Sequence, residues 1–291
     1  MKEIAIIGST ASGKTGLSLD IAAKTNSIIL SLDSLSVYKE IDIASAKPTK
    51  EERGDIIHFG IDEVFPNESF DVIEFFSCYK KAKKYAKENN KNLIIVGGTG
   101  FYLKALIEGL STGVEKSVKL DISVQDAYEL LYSLDKEYME KIAQNDKYRI
   151  EKAYSIYKQS KQTPSVYFEN NPKVPLAKDL KIFEILWEKE ILRERINLRT
   201  SQMMTDKVID EVIFLEKKYS RAPNCMSSIG IIETLEYLDG KLTKKELEDK
   251  IAQNTAKLAK RQNTFNKGQF KDKTSNIIEN LNSDIIKYLS I

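Results

Sequence analysis

An unbroken match to G-x-x-x-x-G-K-[ST], Gly8-Ser9-Thr10-Ala11-Ser12-Gly13-Lys14-Thr15, lies between a four-residue apolar run (residues 4–7) and helically spaced Leu17, Leu19, Ile21 and Ala22. Strand, loop and helix in that order are the context such a loop requires. Its backbone N–H groups turn inward at phosphate oxygens, and the following helix adds the positive end of its dipole. Lys14 reaches the terminal phosphates, and the Thr15 hydroxyl can ligate Mg²⁺. The competing account is a glycine-rich turn that matches by chance, and it leaves the flanking strand and helix unexplained.

The same alternation continues for about 110 residues. Strands are expected at 27–32, 56–61 and 93–96, and helices at 16–24, 71–89 and 101–108, which is the pattern of a parallel α/β sheet. Only helical periodicity follows from 125 to 159, carried by Tyr128, Leu131, Leu134, Tyr138, Ile142 and Ile150. Residues 163–175 hold three prolines and read as a connection. Residues 181–187 read as one more strand, and long helices are expected at 190–205, 206–219 and 244–265. The expected architecture is therefore α/β: a P-loop parallel-sheet core at 1–112, a helical insertion at 113–176, and core completion with a helical C-terminal part at 177–291.

Two strand ends add chemistry. Asp33 follows the second strand, and ligands in open parallel sheets sit beyond the strand C-termini. Asp33 is thus placed in the crevice that holds Lys14, as a general base for an acceptor or as a plain turn residue. Thr99 lies in Gly97-Gly98-Thr99-Gly100, where small residues permit close approach of backbone to ligand; a simple strand-to-helix turn is the alternative. The apolar run 93–96 ends without the acid that NTPases use to hold their metal, which weakens a nucleotide-hydrolysis reading.

Composition adds few limits. The net charge of +2 neither requires nor excludes a nucleic-acid partner. Cys78 and Cys225 show no metal-ligand spacing and read as small buried residues. No run approaches the ~20 apolar residues of a membrane span, and the first apolar run is too short for a signal peptide; a cytoplasmic, monomeric protein without membrane contact is expected. Lys257, Lys260, Arg261, Lys267, Lys271 and Lys273, interleaved with Phe265 and Phe270, form a basic stretch that reads as a solvated helix face with a basic tail or as an RNA-binding surface. Lys147, Arg149 and Lys152 form a second basic cluster.

Taken together, these stretches resemble the tRNA dimethylallyltransferase family, also called tRNA isopentenyltransferase. Beyond the P-loop, the resemblance rests on Asp33-Ser34-Leu35-Ser36-Val37-Tyr38-Lys39 with Asp42-Ile43 and Ala46-Lys47-Pro48-Thr49, on His58 and Asp62, and on Val96-Gly97-Gly98-Thr99-Gly100-Phe101-Tyr102-Leu103-Lys104-Ala105-Leu106. Asn145-Asp146 with Arg149, Arg195-Ile196 with Arg199, and Ala259-Lys260-Arg261-Gln262 with Thr264-Phe265 extend it over nearly the whole chain. The resemblance implies prenyl transfer, assisted by Mg²⁺, from dimethylallyl diphosphate to N6 of adenine 37 in the tRNA anticodon stem-loop. It implies diphosphate binding by Gly8, Ser9, Thr10, Ala11, Ser12, Gly13, Lys14 and Thr15, with Thr15 on the metal. Asp33, Thr99 and Arg199 take catalytic roles: Asp33 as proton acceptor, Arg199 beside the leaving group. It further implies tRNA contacts at Asp33, Ser34, Leu35, Ser36, Thr99, Arg149, Lys152, Lys260 and Arg261. The chain departs from the family pattern at Ser9 (usually Pro), at Glu40 and Ala44 (usually Gly), at Ala143-Gln144 (usually His-Pro), at Ile231-Ile232 (usually Tyr followed by a cation) and at Phe265 (usually Trp). A P-loop small-molecule or nucleoside kinase is the alternative enzyme, and a non-catalytic P-loop binding module a third reading.

Overall fold

The computed structural model describes residues 1–111 and 120–290. They divide into two compact units, Met1–Lys104 with Asp179–Ile291, and Ala105–Lys178. The expected start of the insertion at residue 113 lies outside the described residues.

The first unit is built on a six-stranded, all-parallel sheet. Its strands are β1 (Glu3–Ile7), β2 (Ser27–Leu32), β3 (His58–Phe59), β4 (Asn92–Gly97), β5 (Lys181–Ile185) and β6 (Thr274–Asn276), in the order β3-β2-β4-β1-β5-β6. Strands covered on both faces must be apolar almost throughout, and Ile4, Ala5, Ile6, Ile28, Leu30, Leu93, Ile94 and Ile95 are all fully buried. The crossover from β1 through α1 (Lys14–Lys24) leads to β2, two places away, and β4 fills the gap. Hence the C-terminal ends of β2, β4 and β1 stand side by side, with Leu32 and Ile7 both in register with Gly97.

The helices in the first segment of this unit are α1, α2 (Lys50–Arg53), α3 (Val72–Glu88) and α4 (Gly100–Glu108), within which the chain passes to the second unit. The second unit contains α5 (Val124–Leu134), α6 (Lys136–Met139), α7 (Lys147–Ser160) and α8 (Pro164–Asn170). After β5 come α9 (Lys189–Thr205), α10 (Val208–Tyr219), α11 (Ile231–Leu238), α12 (Lys244–Gln269) and α13 (Ile278–Ser290). Helix α12 starts at a reciprocal Thr243/Glu246 capping box, and α3 at one formed by Asp71 and Glu74; each satisfies two otherwise orphaned amides.

Three expectations need correction. The stretch 163–175 is not only a connection: it contains α8, with Pro164 in the first turn, where a missing N–H costs nothing. The C-terminal part is not purely helical. The chain returns to the sheet as β6, whose three polar residues carry no apolar alternation, and α13 then buries Leu281, Ile285 and Leu289 in the sheet's core. The basic tail is consequently not free throughout, for its Lys273 donates to Asn266 O (2.9 Å) and pairs with buried Glu184 at 3.0 Å.

The second unit has its own core of Ala127, Leu131, Met139, Ile150, Ala153 and Tyr154. Buried Asp135 fixes α8 by accepting from the Ser165 amide (2.7 Å) and hydroxyl (2.8 Å). Leu134, one of the periodic residues, is instead 44 % exposed.

Candidate active site

Residues 8–13 form the loop between β1 and α1, and Lys14 and Thr15 open the helix; Gly13 is at the helix N-cap with φ of 90°, a conformation in which a Cβ is strained. Ala11 adopts a positive φ of 61° without that freedom. A non-glycine residue there needs outside support, and two side chains supply it. Arg195 Nε donates to Ala11 O at 2.8 Å, and Trp187 Nε1 donates to Ser12 O at 2.8 Å. The Arg195 guanidinium stacks 4.9 Å from the Trp187 ring centroid. The Ser12 hydroxyl is buried and has no hydrogen-bond partner among the described residues, so the loop holds a donor that its own fold does not use.

Lys14 Nζ donates to Gly8 O (3.0 Å) and Ser9 O (2.7 Å). Its pKa is pulled down to about 7, first by desolvation and then by Arg199, with Asp33 opposing both. Arg199, on α9, is also drawn down by desolvation and drawn back up by Asp33. Two cations and one carboxylate therefore sense one another across a common space, with positive charge in excess. That is the electrostatic state of a site awaiting an anion.

That space is a cavity of about 480 Å³, lined among others by Thr10, Lys14, Thr15, Asp33, Thr99 and Arg199. Ser34, Leu35 and Ser36 line it too. Asp33 Oδ1 accepts from the amides of Leu35 (2.8 Å) and Ser36 (3.2 Å), while its other oxygen accepts nothing among the described residues. The Thr99 hydroxyl accepts from the Ser34 amide at 3.2 Å, tying the end of β4 to the end of β2. A second cavity, of about 330 Å³, is lined by Ala11, Ser12, Gly13, Lys14, Thr15, Arg195, Leu198 and Arg199. Lys14, Thr15 and Arg199 border both. Gly8 and Ser9 line neither and contribute the carbonyls that hold Lys14.

Exposed Thr15 faces both cavities, and Asp33 is the one carboxylate lining the larger among the described residues. No three His, Cys, Asp or Glu residues group closely enough to cage a metal among them. Such a lining fits Mg²⁺, which keeps much of its water and binds through few protein oxygens together with phosphates.

Several lining residues had no assigned role. Gln262 bridges the P-loop and the end of β4, and Lys47, His58 and Ser45 form part of the wall. Lys47 is held by Asp42 (2.6 Å) and Asp62 (2.5 Å). The 42–44 amides all donate to Glu211 of α10, at 2.7 to 2.9 Å, which fixes the loop that carries the wall. Glu40, standing where the family pattern has glycine, has a φ of 65° and is retained by Lys218 (2.7 Å) and Tyr219 (2.6 Å).

The basic candidates lie elsewhere. Lys260 and Arg261 are exposed on α12 and form no ion pair among the described residues, although the next residue, Gln262, lines the cavity. Arg149 and Lys152 are exposed on α7 of the second unit; Arg149 pairs with Asp146 (3.4 Å), and Lys152 lies 5.7 Å from the Tyr148 ring centroid. Of Ile231-Ile232, the first is fully buried and the second 41 % exposed. No helix among the described residues is long and apolar enough to cross a membrane.

Residues 36–269 match the family described as IPP transferase. The chain is 76% identical over its full length to the full length of a tRNA dimethylallyltransferase from Aliarcobacter butzleri, and 51% identical, again full length to full length, to one from Sulfurimonas denitrificans. Among solved structures, the full-length tRNA isopentenylpyrophosphate transferase of Bacillus halodurans superposes with a TM-score of 0.74 at 28% identity, covering 99% of this chain and 95% of that one. A eukaryotic dimethylallyltransferase, captured in snapshots acting on tRNA, superposes with a TM-score of 0.85 at 25% identity over 95% of this chain and 74% of its own.

Proposed function

The chain belongs to the IPP transferase family, and from that premise we propose that it transfers a dimethylallyl group from dimethylallyl diphosphate to N6 of adenine 37 in tRNA. The observation that carries the reading is the convergence of three neighbouring strand ends, bearing Lys14, Asp33 and Thr99, on one cavity with Arg199.

The chemistry follows from those residues. The diphosphate seats on the P-loop amides, with Lys14 and Arg199 neutralising the charge that grows as the C1–O bond breaks and the diphosphate departs with its electron pair. The adenine amine is a poor nucleophile because its lone pair is delocalised into the ring. As its bond to C1 forms, the amine proton passes to the oxygen of Asp33 that the Leu35 and Ser36 amides leave free. Thr99, linked to Ser34, sets the acceptor's side of the cavity. The Thr15 hydroxyl, with oxygens of the diphosphate, would hold Mg²⁺, which when bound supplies further neutralisation of the leaving group. The base must leave its stack to enter the cavity.

Incubation with undermodified tRNA and labelled dimethylallyl diphosphate, beside an ATP phosphotransfer control, tests the reading. Label is expected in tRNA; transfer from ATP alone would establish the kinase alternative instead. We also propose that Lys260 and Arg261, which are exposed and unpaired by acids among the described residues, contact tRNA phosphates. Changing both to glutamine should weaken tRNA binding and reduce the slope of log K against log salt by about 1–2; an unchanged slope removes them from the interface.

A further inference from the structure

We propose that Gln262 is a positioning residue for the transfer step, a side-chain strut that sets the distance between the loop holding the donor and the loop holding the acceptor. The inference rests on the prenyl-transfer reading above and adds a role for a residue of α12.

The geometry is specific. Gln262 Oε1 accepts from the Thr10 amide at 2.7 Å, and its Nε2 donates to Gly98 O at 3.1 Å. One partner only donates and the other only accepts, so a single orientation of the amide satisfies both. Thr10 belongs to the loop after β1, Gly98 to the loop after β4. The Thr99 hydroxyl continues the chain of bonds to Ser34, beside Asp33. The donor loop, the acceptor loop and the base-bearing loop are thereby joined in series, and Gln262 is the joint between the first two. Gly98 makes room for it: a Cβ there would stand 2.4 Å from Gln262 Nε2. The helix is anchored for the purpose, since Leu192, Ile196 and Ala259 form a small core between α9 and α12 that also packs on Ala11 of the P-loop.

A strut of this kind matters to the reaction more than to binding. Each loop can hold its own substrate through local contacts, but transfer requires N6 and C1 at about 3–3.5 Å and in line, and a 1 Å error costs about 100-fold. Loss of the strut should therefore appear in the chemical step.

The test compares wild type with Gln262→Met, which keeps the reach and removes both hydrogen bonds, and with Gly98→Ala, which leaves the glutamine but displaces its amide. Single-turnover transfer with both substrates saturating is expected to fall about 10- to 100-fold in each variant. Dissociation constants for tRNA and for a non-reactive thiolo analogue of the donor should stay within about threefold, a split between rate and affinity that a general loosening of the fold would not give. The double variant should lose little beyond either single one, because both changes break the same joint. Wild-type single-turnover rates in both variants, or losses confined to affinity, would overturn the strut. Failure of wild type itself to prenylate tRNA would instead overturn the reading on which the strut rests.

Discussion

Replacing Asp33 by asparagine should lower the single-turnover rate of prenyl transfer by about 10²- to 10⁴-fold, the range of a lost general base, while tRNA affinity changes less than about threefold. Asparagine is the sharper choice because Asp33 has a structural job besides the proposed one. Its Oδ1 receives the amides of Leu35 and Ser36, and a side-chain carbonyl can keep that turn. Alanine removes the turn along with the base and should be slower still. A second consequence separates proton transfer from charge balance. Asp33 is the anion that raises the pKa of both Lys14 and Arg199, so its neutralisation lets Lys14 titrate lower than in wild type. The assay therefore belongs near pH 6 with saturating donor, where Lys14 is kept protonated by its bound ligand. A variant that transfers at the wild-type rate there, or one whose whole defect is weaker tRNA binding, would remove Asp33 from the role of base.

What could be read from the chain before its structure was whatever is local. The P-loop is eight consecutive residues between a strand and a helix, and Asp33 and Thr99 declare themselves by following apolar runs. The parallel sheet needed only the alternation of strand and helix. The parts that escaped depend on contacts across long stretches of chain. Gln262 acts 252 residues from Thr10 and 164 from Gly98, and no periodicity on α12 distinguishes it from its neighbours. Arg195 and Trp187, which support the strained Ala11, meet the loop only in three dimensions. Strand β6 is three polar residues whose reason for pairing is the neighbouring edge of β5, and Lys273 looked like surface charge because buried Glu184 lies far from it in sequence. In the resemblance, Gln262 stood inside a quoted stretch without a role, which was the one signal available for it.

Binding of an alkyl diphosphate should weaken by up to tenfold per pH unit above about pH 7, and Lys14 is the cause. An ordinary lysine titrates near 10.4, so it would hold diphosphate affinity constant through pH 9. Lys14 in the ligand-free protein is pulled to about 7 by desolvation and Arg199. An incoming diphosphate favours the charged amine and raises that pKa again. Above pH 7 the free protein has lost the proton that the complex needs, so each binding event takes one up from solvent and affinity falls as pH rises. The ligand does not cause the trend, because a terminal phosphate releases its last proton near pH 6. For folding the sign is opposite. Between pH 7 and 10.4 the unfolded chain holds the extra proton, so the ligand-free protein gains stability with rising pH across that window, and below it the desolvated charge opposes folding in full. Titration calorimetry between pH 6.5 and 9, in buffers of differing ionisation enthalpy, should show proton uptake growing toward one per site in wild type. Lys14→Arg, which stays charged, should bind with a flat pH profile. Lys14→Met should bind the diphosphate poorly at every pH, yet its ligand-free form should melt at a higher temperature than wild type at pH 6.5. A flat wild-type profile would show that Lys14 is already charged before the anion arrives, and the excess of positive charge described for the cavity would then exist at all of these pH values.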